Sequence, residues 1–227
     1  MITATEFLDL FATPLVEELK AIEGLKKFTS NTDVIGAHAE AVVRRLVRRV
    51  VAPLHVSTGA VISEQLCAEP GKVPQLDTII WLPCPAPAIF EVEDFCIVPR
   101  GSAMAIMEIK RSAYTDVGKK LTSRLAPDYV RRLVADDPEG WVTSRDPLYP
   151  DFPALGVICL EESRTREPEL NELVRSGSCV IILEQREGGL APNSEAVYRL
   201  INFLIRARQR ALSWDGRALI NMSAVVK

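Results

Sequence analysis

Two carboxylates interrupt stretches that otherwise belong in the interior of a β-sheet. Asp77 sits in Leu76-Asp77-Thr78-Ile79-Ile80-Trp81 and Glu108 in Ala105-Ile106-Met107-Glu108-Ile109, with Lys110 two places beyond. An ionised carboxylate in a half-buried strand costs on the order of several kcal/mol unless it is paired or holds a cation. Two of them plus an ammonium therefore point to a metal-centred site, and any fold for this chain has to account for them.

The rest of the chain is ordinary for a water-soluble domain. Its 227 residues are 48% hydrophobic and 25% charged, enough for one compact domain with a full core. The N-terminal stretch carries Glu6 and Asp9 with no basic run, and no apolar segment approaches a bilayer span, so the chain reads as cytoplasmic with no membrane partner. Cys67, Cys84, Cys96, Cys159 and Cys179 are odd in number and form no Cys-x-x-Cys pair, which argues for buried reduced thiols. The formal charge of −3 gives no global attraction for a polyanion, so a nucleic-acid partner has to meet a local basic patch.

Periodicity supplies the order of elements. Thr3-x-x-Glu6 is a capping-box pattern for a helix to about Lys27, and the Ser30-Asn31-Thr32-Asp33 cluster starts a second. From Asp33 to Val51, Ile35, Ala39, Val42, Val43, Leu46, Val47 and Val50 recur at helical spacing, with Arg44, Arg45, Arg48 and Arg49 on the outer face. Strand-like pieces follow at Leu54–Ile62, Leu76–Leu82, roughly Phe90–Val98 and Ala103–Ile109. A helix is expected from Thr115 to about Val134, kinked or split at Pro127, and then a loop over Asp136–Pro153. Strands at Ala154–Leu160 and Cys179–Glu184 alternate with helices at Pro168–Arg175 and Ser194–Leu212. The expectation is an α/β fold with a mixed sheet covered on both faces, residues 1–30 forming an N-terminal helical extension and 31–227 the α/β domain.

Alternate residues of a strand share a face, so Glu108 and Lys110 point one way and Ile109 the other. The tripeptide alone is weak, since composition yields about one Glu-x-Lys in a chain of this size. Bland readings stand beside the metal site: a solvated edge-strand pair for Glu108 and Lys110, a strand-start residue for Asp77, and an exposed i, i+4 pair with Arg44 for Glu40. His38 and His55 read as surface or boundary residues. No Gly-rich phosphate loop, His-Glu-x-x-His helix or Gly-x-Ser-x-Gly elbow is present, which removes support for the common nucleotide-binding, zinc-protease and serine-hydrolase classes.

In order, Gly36-Ala-His-Ala-Glu40, Gly59, Gln75-Leu-Asp77-Thr-Ile-Ile and Glu108-Ile-Lys110-Arg-Ser112 resemble the PD-(D/E)XK nuclease superfamily, the restriction-endonuclease-like fold, over roughly Thr32 to Leu183. The pattern is most similar to a bacterial branch with a Gly-x-x-x-Glu helix, a strand opening with Asp, and Glu-x-Lys-Ser. Arg111 here separates Lys110 from Ser112, and Pro74 precedes Gln75 where a serine-like residue is usual. The resemblance implies that Asp77, Glu108, the Ile109 carbonyl and Glu40, directly or through water, hold Mg2+ or Mn2+. It implies that Lys110 positions and helps deprotonate a water, and that the reaction is phosphodiester hydrolysis, in DNA above all. Gln75 and Ser112 are weaker substrate contacts, and Lys119, Lys120 and Arg124 read either as a solvated helix face or, since the helix after Glu-x-Lys borders the cleft in this fold, as contacts to a phosphate backbone. Arg131 and Arg132 continue that basic run, while Arg206, Arg208 and Arg210 suit packing as well as nucleic acid. No separate recognition domain fits in this length, so targeting falls to DNA shape, DNA ends, a homodimer or a partner protein. A catalytically inactive nucleic-acid-binding or protein-interaction module on the same fold is the alternative.

Overall fold

A computed structural model describes residues 4–25, 27–62, 73–83, 86–113, 116–124, 154–161 and 168–212. Helix α1 (Ala4–Leu25) leads to α2 (Thr32–Val51), whose start is fixed by the Asn31 side chain accepting from the amides of Asp33 and Val34. Strands β1 (His55–Ile62), β2 (Leu76–Trp81), β3 (Phe90–Val92), β4 (Phe95–Pro99) and β5 (Ala103–Ser112) follow, with a 3-10 turn at Arg100–Ser102 between the last two. Then come α3 (Val117–Arg124), β6 (Ala154–Glu161), α4 (Pro168–Arg175), β7 (Cys179–Arg186), β8 (Gly189–Pro192) and α5 (Ser194–Leu212).

The strands make one mixed sheet of eight in the order β3-β4-β1-β2-β5-β6-β7-β8. Antiparallel β1, β2 and β5 meet a parallel block of β5, β6 and β7, so β5 is central and paired on both sides. Alternation sorts its residues onto two faces. Met107 and Ile109 join Val157, Val180 and Ile182 under α1, α2 and α5 in the largest apolar cluster. On the opposite face Ile158 and Ile181 pack with Val117 and Leu121 of α3 and Leu170 of α4, while Ile106 packs with Leu76, Ile79 and Trp81. Burying a large apolar side chain contributes roughly 1.5–3 kcal/mol, so the sheet is held from both sides.

Several expectations needed correction. The stretch 90–98 is not one strand but the β3–β4 hairpin, turned at Glu93 (φ 53°) and Asp94. Two polar residues between apolar ones are enough to reverse the chain when one tolerates positive φ and the other is gripped by Arg48, whose guanidinium lies 2.6 Å from the Asp94 carboxylate. Strand β5 continues to Ser112, and β7 reaches Arg186 and returns as β8, which was not anticipated. Strand β8 opens at Gly189, whose φ of 105° suits glycine. The helix after β5 begins at Val117 and is described to Arg124. Its expected continuation to Val134, Pro127, the loop 136–153, Arg131, Arg132, the Thr3 cap, Cys67 and Cys84 lie outside the described residues. Cys96, Cys159 and Cys179 are buried free thiols, and burial pushes the Cys159 thiol up to about 12. Among the described residues no helix is long and apolar enough to cross a membrane.

Candidate metal and nuclease site

The site begins where two paired strands part. The β2–β5 ladder runs to Thr78 opposite Met107. Continued, the register would set Asp77 against Glu108 and Leu76 against Ile109. The Leu76 carbonyl accepts from Thr58 Oγ1 of β1 at 2.8 Å, and the Ile109 amide donates to the Asp77 side chain, at 2.7 Å from Oδ2. A carboxylate thus fills the wedge between the strands and is aimed by a main-chain donor. Gly59 shapes the strand on the other side of β2. It lies at a register shift in β1, opposite Leu76 and alongside Cys96 of β4, with φ 135°. A Cβ there would stand 1.8 Å from the Cys96 carbonyl oxygen, so only glycine lets β4 approach the bulge.

Lys110 closes the group from β5. Its Nζ lies 2.6 Å from Glu108 Oε1 and 3.4 Å from Asp77 Oδ2. The Glu108 side chain is only 4% exposed, against 21% for Lys110. Glu108 alternates with Met107 and Ile109, so it faces the α3 and α4 side of the sheet at the seam between the two smaller clusters. Its neighbour on β6 is Gly156, which adds no side chain beside it. The solvated-edge reading of this pair is excluded, because β5 is central and Glu108 is buried.

Glu40 comes from α2, on the other face of the sheet. It does form the i, i+4 pair with Arg44, at 3.2 Å, but not on an exposed face. Arg44 Nη1 also donates to the Asp77 carbonyl at 2.9 Å, so this arginine is folded into the site and does not share an outer face with Arg45, Arg48 and Arg49. Helical periodicity places a charged residue outward by default; here the start of β2 lies beneath α2 and offers an acceptor. The Glu40 carboxyl is held above its ordinary range, first by burial and then by the charge of Asp77, with Arg44 and Lys110 pulling the other way. Arg45 and Arg48 are engaged by Glu18 and Asp94.

The remaining expected residues stand further out. Gln75 is exposed just ahead of β2, and Ser112 is half-buried at the end of β5. Lys119 and Lys120 are exposed on α3, with Lys119 3.4 Å from Asp116, and the Arg124 side chain lies outside the described residues. Arg206 and Arg208 are exposed on α5 and Arg210 is buried. His55, read as a connector residue, opens β1 and packs tilted against Trp81 with ring centroids 4.6 Å apart. The Trp81 indole in turn donates to Ser57 Oγ at 3.1 Å.

Among the described residues no group of three or more His, Cys, Asp or Glu side chains stands ready around one metal position. What the structure does show is two carboxylates from different strands converging on one positive charge, the Lys110 ammonium. Their donor atoms are hard oxygens, the kind that Mg2+ and Mn2+ select, so the residues fit such an ion.

No protein-family model matches the chain, and no curated protein matches it. Among solved structures, that of NucC from P. aeruginosa ATCC27853 in its cAAA-bound form has a TM-score of 0.53 at 16% identity, covering 100% of both chains. The cAAA-bound form of NucC from E. coli MS115-1 has a TM-score of 0.51 at 16% identity, over 93% of this chain and 98% of that one. The chain shares the fold of these NucC structures. Identity of this order carries the architecture, an eight-stranded mixed sheet flanked by helices behind an N-terminal helix; the chemistry has to be argued from the residues themselves.

Proposed function

We propose that this chain is a metal-dependent nuclease that hydrolyses phosphodiester bonds, with DNA as its substrate. One observation carries the reading: Asp77 and Glu108, brought from two strands, converge on a single cationic group where those strands part, in a fold shared with NucC. Asp77, Glu108 and the Ile109 carbonyl would hold Mg2+ or Mn2+, with Glu40 contributing directly or through water. The N–H and C=O of one strand residue point to the same side, so the amide that Ile109 gives to Asp77 implies that its carbonyl faces the wedge as well. When bound, the ion supplies Lewis acidity and a more acidic water at neutral pH.

The chain's own groups supply the rest. The Ile109 amide orients Asp77. The buried Glu108 presents a fixed negative charge, and Lys110, with three N–H donors, can keep its hold on Glu108 while turning another toward a phosphate oxygen and offsetting charge that builds there. Lys119, Lys120 and Arg124 follow the same strand on α3, where they would meet the polyanion backbone; Gln75 and Ser112 flank the wedge.

A second reading, an inactive binding module, is favoured by one observation: the Lys110 ammonium already engages both carboxylates. Incubating labelled single- and double-stranded DNA and RNA with Mg2+, Mn2+ or chelator separates the two. Cleavage of DNA is expected only with a divalent ion and falls by at least about a hundredfold in folded Lys110→Ala and Asp77→Ala variants. Cleavage that survives chelator, or is unchanged in Lys110→Ala, would overturn the proposal. Binding without cleavage selects the module.

A further inference from the structure

Arg44 is drawn into the protein: its side chain is 12% exposed. Arg45 reaches Glu18 at the surface, and Arg48, 44% exposed, spans the exposed Asp94 and the Val56 carbonyl of β1. Burying a guanidinium is costly unless its acceptors are specific. Here a single nitrogen, Nη1, serves two acceptors, Glu40 Oε2 at 3.2 Å and the Asp77 carbonyl at 2.9 Å. Its Nε is buried with no hydrogen-bond partner among the described residues, so what holds the group in place is this pair and not a general saturation of its donors. The Glu40 side chain is 29% exposed, so the carboxylate that Arg44 tethers keeps access to solvent.

We propose that Arg44 is a positioning residue, which fixes the Glu40 carboxylate of α2 against the main chain of Asp77 and so sets the two acidic positions relative to each other across the sheet. The proposal rests on the nuclease reading above, because it gives that geometry a metal to serve. Arg44 touches neither substrate nor reacting atoms; it acts through Glu40 and through the placement of Asp77. Residues that orient metal ligands typically alter affinity by roughly 10–100-fold when removed.

The test is direct Mn2+ binding by titration calorimetry on the full chain, for the native protein, Arg44→Met, Arg44→Lys, Glu40→Gln and the Glu40→Gln, Arg44→Met pair. Circular dichroism reports the fold of each. Arg44→Met is expected to weaken Mn2+ binding about tenfold or more. Arg44→Lys keeps a charge and one donor and recovers part of the loss. In the Glu40→Gln background the Arg44→Met change costs clearly less, because half of the link has already gone. Native affinity in folded Arg44→Met, or an equal cost in both backgrounds, overturns the positioning role. Should Arg44→Met not fold, Arg44→Lys decides: a several-fold loss supports the proposal, native affinity overturns it. A native chain that binds no Mn2+ and cleaves no nucleic acid would fail the nuclease reading and this proposal with it, whereas metal binding indifferent to Arg44 fails this proposal alone.

Discussion

Replacing Lys110 by methionine keeps much of the side chain's length and removes the charge 2.6 Å from Glu108 Oε1 and 3.4 Å from Asp77 Oδ2. Breaking a buried ion pair by removing one partner typically costs about 3–5 kcal/mol, because the other charge stays behind. Glu108 is 4% exposed, but Asp77 and Lys110 at 17% and 21% are in partial contact with water, so the lower end, about 3 kcal/mol, is the expectation. For a domain of this size that is a fall in Tm of about 6–12 °C, measured by calorimetry in chelator. Mn2+ should then reverse much of it. An ion at a hundred times its Kd stabilises by about 2.7 kcal/mol, and in Lys110→Met it would enter a pair of carboxylates with no ammonium to displace. The Mn2+-induced rise in Tm is therefore larger in the variant than in the native chain. Equal stability of the two proteins in chelator would show that the ion pair is not what offsets the buried Glu108. Equal metal-induced shifts would show that the ammonium and the metal do not compete.

Two further outcomes test the frame and the charge map. Gly59→Ala places a methyl 1.8 Å from the Cys96 carbonyl oxygen at φ 135°, which should cost at least about 3 kcal/mol by urea unfolding; a loss below about 1 kcal/mol would mean that the bulge before Asp77 is not built as described. The hydrogen bond from Arg48 pulls the Asp94 carboxyl below its ordinary range, against partial burial and with the charges of Arg48 and Arg44 adding to the pull. A depressed carboxyl contributes stability that is present above its unfolded pKa and lost as pH falls through its folded one. Asp94→Asn should therefore lower the urea midpoint at pH 7, less so in high salt, by a deficit that shrinks as pH falls through the lowered pKa of the native carboxyl. A deficit that does not shrink with acidification would assign the effect to the β3–β4 turn and not to charge.

Much of the frame was legible because two periods carry it. The helical recurrence from Ile35 to Val51 and the cap at Asn31 gave α2 to within a residue or two, and apolar runs gave β1, β2, β5, β6 and β7. The hairpin at Glu93 and Asp94 and the short β8 escaped, since a two-residue polar interruption and a four-residue strand leave almost no periodic signal. At the site, strand alternation placed Glu108 and Lys110 on one face, and a charge inside an apolar run marked Asp77. Arg44 was misjudged because a helical wheel ranks residues by polarity and knows nothing of what lies beneath the helix. The available signal was its i, i+4 spacing from Glu40, which does not say whether such a pair is wet or buried.

By itself, then, the sequence determined which residues carry charge where apolar neighbours make charge expensive, and that those residues lie on strands of a mixed sheet, because both facts follow from local pattern and transfer energetics. Whether the charges meet was decided only in three dimensions. The Leu76 carbonyl turns to Thr58, the Ile109 amide turns to Asp77, and a guanidinium from a helix on the far face reaches the same strand. Each of these contacts joins residues far apart in the chain, so no local pattern encodes it; only the pairing of β1, β2 and β5 and the packing of α2 bring the partners within reach.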